Sequence, residues 1–249
     1  SPDQNRTLLN GAAVASADWF VLDNPSRAFN YTLLPSTIVS SLEVYKSPQA
    51  DIQEGSLGGT VMLRTRRPLD MDANSGVVQV QGMYSETSEE WDPNVSALYS
   101  WKNDAETLGF NASLTKQDRT LLREGQEILG FQQQDFGAGN QWTPRAIGDA
   151  YFEQERERET ILLTGQWRPT DSGEFTLTYL DSDLDANNTN YNRYEWFNGQ
   201  AGGGTIDPAT ARYVGSGVVA GEVKDNYSEY YVIDRVSYSE TESVDLQYT

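Results

Sequence analysis

The sequence predicts an all-β protein made largely of antiparallel strands. Three observations carry that expectation. Several segments of about ten residues alternate apolar and polar side chains, the period of a strand with two different faces. The apolar side of these segments often ends in an aromatic residue: Tyr84, Trp101, Trp167 or Tyr179. The connections between segments are either very short or very long.

Residues 1–70 read as short strands and turns. VSSLEVYKSP is a β-rich run closed by Pro48, and Thr60–Thr65 is a strand stopped by Pro68. The glycines before it, Gly55, Gly58 and Gly59, are expected to allow positive φ and close chain crossing. No helical pattern follows them, so a phosphate-cradling loop is not expected.

From residue 76 onward the alternation sets in. Val78, Val80, Gly82 and Tyr84 oppose Gln79 and Gln81; Val95, Ala97, Tyr99 and Trp101 oppose Asn94, Ser96 and Ser100. Leu108, Phe110, Ala112 and Leu114 oppose Asn111, Ser113 and Thr115; Ile161, Leu163, Gly165 and Trp167 oppose Thr160, Thr164 and Gln166. Phe175, Leu177 and Tyr179 oppose Thr176 and Thr178, and a sixth run sets Val244, Leu246 and Tyr248 against Asp245 and Gln247. KNDAE and RPTDSGE are short turns, and SETSEEWDP is a medium connection. Roughly thirty residues join the third strand to the fourth, and about fifty join the fifth to the sixth. Both are read as loops.

Composition narrows the function classes. The net charge is −19, which argues against nucleic acid, because phosphate binding needs a basic surface. With neither Cys nor His, disulfides, thiolate chemistry, imidazole-ligated metals and a Ser-His-Asp triad are excluded. Residues 1–70 carry a net charge of −1 and residues 71–249 a net charge of −18, so a boundary is expected near Asp70–Ser75. No stretch of 18 apolar residues is present, and SPDQNRTLLNG has no basic-then-apolar pattern, so neither a membrane helix nor a signal peptide is expected.

Mid-strand polar positions are Gln, Asn, Ser and Thr, which suits a wet interior. Aromatic ends suit a membrane–water interface. Ten tilted residues span roughly the apolar band of an outer-membrane barrel, about 25 Å. Short turns on one rim and long loops on the other complete the pattern of a transmembrane β-barrel. A soluble β-sandwich also alternates and is the competing architecture. Glu153, Glu155, Glu157 and Glu159, like Asp181, Asp183 and Asp185, continue the apolar face in register and are placed beyond the hydrocarbon.

LEVYKSP (Leu42–Pro48), EGSLGGTV (Glu54–Val61) and TRRPL (Thr65–Leu69) occur in this order within residues 34–70. This stretch resembles the end of the plug domain of TonB-dependent receptors, in particular their proteobacterial nutrient-scavenging branch. WRPTD (Trp167–Asp171) resembles a periplasmic turn of the same branch. The resemblance implies a plug part over 1–70 and the first five or six strands of the outer-membrane barrel over 71–249, a fragment of a plugged 22-stranded barrel. It implies import of a nutrient across the outer membrane of a Gram-negative bacterium, no catalysis, and energy from TonB through a box expected to precede these residues.

Binding candidates follow. Trp19, Phe20, Asn24, Arg27 and Tyr31 lie in the part that resembles the substrate-facing apical loop, and Trp142, Tyr191, Tyr194, Trp196 and Phe197 lie in the long loops. Exposed aromatics with polar partners suit flat ligands such as sugars. Local loop packing is the bland alternative for each. Glu43 with Arg64, Arg66 or Arg67 is the expected plug ionic contact. Asp181, Asp183 and Asp185 resemble half of a calcium loop, with Ala186 and Asn192 where Gly and Glu are wanted; no cofactor is expected, and calcium is the one weak candidate. An acidic rim would repel anions, which favours a neutral oligosaccharide over a ferric siderophore or cobalamin. The competing function is a non-transporting all-β surface-binding or adhesion module.

Overall fold

The computed structural model describes residues 4–13, 29, 31, 34–47, 49, 50, 52, 55–135, 139–197, 199 and 202–249. Among these the fold is all-β, with no α-helix and with short 3-10 turns at Ser36–Ile38 and Pro68–Asp70. The sheets are predominantly antiparallel.

A three-stranded sheet comes first: β1 (Asn5–Leu9), β2 (Val39–Tyr45) and β3 (Gly59–Thr65), in the order β1-β3-β2. β2 runs antiparallel to β3, while β1 runs parallel to it. The central strand is the most apolar, and it buries Met62 and Leu63. Gly59 has a φ of 140°, and a Cβ there would lie 2.9 Å from the Tyr45 carbonyl oxygen. Only glycine accommodates both the backbone angle and that close approach.

The larger sheet uses β4 (Ser75–Ser85), β5 (Glu90–Lys102), β6 (Leu108–Ile128), β9 (Ala146–Thr170), β10 (Gly173–Asp185), β11 (Asn188–Trp196), β16 (Ser228–Arg235) and β17 (Tyr238–Tyr248). Between them lie the short strands β7 (Phe131–Asp135), β8 (Asn140–Pro144), β12 (Thr205–Ile206), β13 (Arg212–Val214), β14 (Gly217–Ala220) and β15 (Val223–Lys224). The C-terminal half of β9 pairs with β10, which pairs with β17; the N-terminal part of β9 pairs with β11, which pairs with β16.

The six alternating segments therefore lie in strands, but the two long connections are not loops. β6 runs on to Ile128, β9 starts at Ala146, and β11 and β16 occupy much of the stretch between β10 and β17. They escape a reading based on hydrophobic alternation because their two faces do not differ: in β9 Glu153, Glu155, Glu157 and Glu159 alternate with Gln154, Arg156 and Arg158, and in β16 Tyr230 and Val232 alternate with Tyr231 and Ile233. A ladder needs paired backbone groups, not an apolar face. The connection SETSEEWDP likewise shrinks to a turn over residues 86–89, with the Glu89 N–H bonded to the Ser85 carbonyl at 2.8 Å.

Contacts gather the chain into two compact units. One holds Ser1–Thr120, Glu155–Asn187 and Val236–Thr249; the other holds Leu121–Gln154 and Asn188–Arg235. The pattern change near residue 70 marks the passage from the small sheet to the large one inside the first unit. In that unit Leu9, Ile38 and Leu63 form one core with Leu162 and Leu180, and Phe29, Leu34 and Val39 pack against it. Leu162 and Leu180 face each other across β9 and β10 and project from the polar side of the sheet. They give the small sheet an apolar footing on a largely polar surface.

Candidate functional site

In the first unit the two faces of the large sheet have the reverse of the usual polarity. Phe110 is 43% exposed, Leu177 50% and Leu246 68%. Leu163, on the same face, is half-buried. On the opposite face Ser100 and Thr164 are fully buried, and Asn111 and Gln166 nearly so. A sheet stabilised by water would bury the leucines, since each gains roughly 1.5–3 kcal/mol on burial. A contiguous apolar face of this extent marks a surface that meets lipid or a partner.

Aromatic rings bound the exposed apolar face. Near the short turns Trp167 stacks on Phe175 at 5.6 Å, and Phe175 meets Tyr248 at 4.9 Å. Near the turn at residues 86–89 Tyr84 meets Trp91 at 5.3 Å. On β9 the apolar stretch Ile161–Trp167 has seven residues, about 23 Å of strand. The first charge upstream of it on β9, Glu159, is paired with Lys116 at 2.8 Å. Asp183 stands opposite both Glu159 and Glu240, and Asp181 opposite Glu242. Asp181, Asp183 and Asp185 point outward from one strand, and among the described residues no three acidic side chains converge as a metal-holding group.

The buried polar face holds a second feature, a tether. Residues Arg66–Leu69, at the exit of β3, are bonded to several strands of the large sheet. Asn111 donates its side-chain N–H to the Arg66 carbonyl at 2.8 Å, and Lys102 donates to the Leu69 carbonyl at 3.3 Å. Gln166 accepts the Leu69 N–H at 2.8 Å and passes its own N–H to Glu174 at 2.7 Å. Arg67 donates to Gln247 at 3.0 Å and lies 3.7 Å from Glu174, which Arg168 also grips at 2.7 and 3.1 Å. Gly109 lets this segment approach β6, since a Cβ there would come to 3.0 Å of Pro68 and Leu69. Sequence reasoning read Gln166, Asn111 and Gln247 as wall residues; their pairing with residues 66–69 has no sequence signal beyond the choice of long amides.

Of the three expected partners, Glu43 takes Arg64, at 3.1 Å, and also accepts the Tyr45 hydroxyl at 2.5 Å. Arg66 instead donates to the Thr37 carbonyl at 3.0 Å, and Arg67 points to Gln247 and Glu174. Arg66 and Arg67 lie past the end of β3 at Thr65, where the chain leaves the small sheet, so one carboxylate meets one guanidinium. The Tyr45 hydroxyl and then Arg64 hold the Glu43 carboxyl below the usual carboxylate range. A lowered folded-state value means a contribution fully present above the ordinary value and lost as pH falls through the folded one. In urea unfolding, Glu43→Gln is expected to cost stability near neutrality and progressively less as pH falls below the ordinary glutamate value of about 4.3. A cost independent of pH would exclude the ionised pair.

Among the described residues the aromatic candidates are divided between the two units. Trp19, Phe20, Asn24 and Arg27 lie outside the described residues. Tyr31, in the first unit, is exposed, with its hydroxyl 2.7 Å from that of Thr7 and its ring edge-on to Phe29. The others belong to the second unit. Trp142 is exposed on β8, with its N–H bonded to the Ser216 carbonyl at 2.6 Å. Tyr194 is buried among Trp196 and Tyr231, with ring centroids 6.0 and 5.7 Å away, over Gly148, where a Cβ would collide with its ring. Its hydroxyl donates to Glu127 at 2.8 Å, and the Trp196 indole donates to Glu229 at 2.6 Å. Burial, then the Glu127 contact, pushes the Tyr194 phenol up. Phe197 is buried. Tyr191 lies on the other, exposed face of β11.

No protein-family model, curated protein or solved structure matches this chain.

Proposed function

We propose that this chain is part of a TonB-dependent receptor, with residues 1–70 serving as the end of the plug and residues 71–249 supplying strands of the barrel wall. In this reading it lies in the outer membrane of a Gram-negative bacterium, binds a nutrient and imports it with energy drawn through TonB. The observation that carries the reading is the reversed polarity of the large sheet. Lipid rewards leucine and phenylalanine on the outside, and a plug rewards serine, threonine and asparagine on the inside. The aromatic pairs at the ends of the apolar stretch suit the two interfaces. At a tilt of about 40° the seven-residue stretch alone covers roughly 18 Å; the aromatic ends and the neutralised Lys116–Glu159 pair extend the span toward a bilayer of less than average thickness.

β4 and β17 each have a single neighbour among the described residues. Lipid does not tolerate open edges, so the reading requires further strands to close the sheet between them. The likeness of residues 34–70 to a plug supports the same conclusion from the sequence side. The strongly acidic chain, net −19, favours a neutral oligosaccharide as cargo over an anionic chelate.

Deleting the gene is expected to abolish growth on one neutral oligosaccharide as carbon source and to leave growth under iron limitation unchanged, with the protein in the outer-membrane fraction. Recovery of the protein from the soluble fraction, with growth unaffected on every source, would favour the non-transporting binding module instead.

A further inference from the structure

The exposed face of the second unit carries an aromatic hollow that the transport reading does not use. Three strands build it in two rows. Asp149 of β9, Arg193 of β11 and Tyr230 of β16 stand directly opposite one another, and so do Tyr151, Tyr191 and Val232. Tyr230 is 72% exposed, and Tyr191 and Tyr151 are also exposed, with the latter two rings edge to face at 5.9 Å. Gly125 of β6 leaves one side low, because a Cβ there would meet nothing within 4 Å. The hollow has a volume of about 530 Å³, within the range of small-ligand sites.

The chemistry of the rim selects among ligands. The Arg193 guanidinium already serves Glu195 at 2.7 Å and Asp149 at 3.9 Å, so it offers N–H groups with no spare positive charge. Glu124 and Gln126 complete the rim, and the Gln126 amide donates to Asp149 at 3.3 Å. An anionic ligand finds no net positive charge here, and an acyl chain would strand the Asp149–Arg193 pair in an apolar contact. A saccharide meets neither obstacle. Its C–H faces stack on exposed tyrosine rings, and its hydroxyls, each both donor and acceptor, match a rim of amide, guanidinium and carboxylate.

We infer that this hollow binds a neutral saccharide of about two units, stacked on Tyr191 and Tyr230 and hydrogen-bonded by Asp149, Arg193 and Gln126. The inference does not rest on the transport reading, since the hollow lies on the exposed face and would hold sugar whether or not the chain imports it.

The test is calorimetric titration of the whole protein in detergent micelles. The probes are linear gluco-, xylo-, galacto- and manno-hexaoses, with oligogalacturonate as the anionic comparison. At least one neutral hexaose is expected to bind and oligogalacturonate not to. Tyr191→Ala and Tyr230→Ala are each expected to weaken that binding about tenfold, and Tyr191→Phe, which keeps the ring, by less than about twofold. Far-ultraviolet circular dichroism reports whether each variant keeps its strands, and Tyr191→Phe gives a readout that does not depend on truncation. Absence of binding to all four neutral probes, tighter binding of oligogalacturonate, or affinity in both alanine variants unchanged from that of the unsubstituted protein would overturn the assignment. Binding lost with Tyr191→Ala in a strain that still grows on the sugar would separate this site from any import route.

Discussion

Leu177→Arg is expected to destabilise the protein in lipid vesicles by about 2–4 kcal/mol, the cost of a base at the middle of a barrel's lipid face. Leu177 is half exposed, stands opposite Gly165 on β9 and Leu246 on β17, and lies two residues from Phe175 and Tyr179 on its own face. Nothing lies within 4 Å of where a Gly165 Cβ would be, so sterics do not penalise a longer side chain at this spot. In water an exposed substitution of this kind changes stability by no more than about 0.5 kcal/mol. The medium facing the sheet is therefore the one variable that sets the outcome. Asp185→Arg, on the same face of β10 but beyond the apolar stretch, is expected to cost about 0–1 kcal/mol. Urea titration of both variants in vesicles measures the contrast. A cost for Leu177→Arg no greater than for Asp185→Arg would remove the lipid-facing reading and with it the support for a transporter.

What was legible in the sequence follows from where hydrophobic contrast exists. Ile161, Leu163 and Trp167 alternate with Thr160, Thr164 and Gln166, so the strand and its two faces could both be read. The same strand is unreadable upstream, because Glu153 and Glu155 alternate with Gln154 and Arg156 and the period of two is hidden among polar side chains. Leu162 breaks the pattern inside the readable part. It is almost fully buried on the polar side because it belongs to the core under the small sheet, a requirement set by residues about a hundred positions or more away. The Gly55–Gly59 region was legible for a different reason: φ values of 122° at Gly55 and 140° at Gly59 are local demands that only glycine meets easily, while Gly58 does not share the positive φ and meets only the expected close approach, against the Asn5 side chain. Among the candidate binding residues, alternation sorts Tyr191 to the exposed face and Tyr194 to the buried one, a distinction that becomes readable only once β11 is known to be a strand and not a loop.

The tether at Arg66–Leu69 makes the second large prediction. Gln166 has both ends of its amide engaged, the oxygen with the Leu69 N–H and the nitrogen with Glu174, in a position only 3% exposed. Gln166→Leu keeps the volume and removes both bonds, which leaves the Leu69 N–H buried without an acceptor. An orphaned buried donor costs about 1–3 kcal/mol, more than the same bond adds when it is made. Thr164, one pair earlier on the same face and fully buried, has a hydroxyl with no hydrogen-bond partner among the described residues. Thr164→Val removes a group that contributes no bond, so its cost is expected to stay within about 0.5 kcal/mol. The comparison separates pairing from mere polarity on the buried face. Hydrogen exchange at the Leu69 amide should accelerate in Gln166→Leu and stay unchanged in Thr164→Val, because local opening of residues 66–69 no longer has to break the Gln166 bond. Should both variants lose the same stability, the inner face would be holding the small sheet by general polarity, and a defined latch at Gln166 would be excluded. If Gln166→Leu alone loosens the segment, the latch is local: residues 66–69 open by breaking a few hydrogen bonds while the core of Leu9, Ile38, Leu63, Leu162 and Leu180 stays closed.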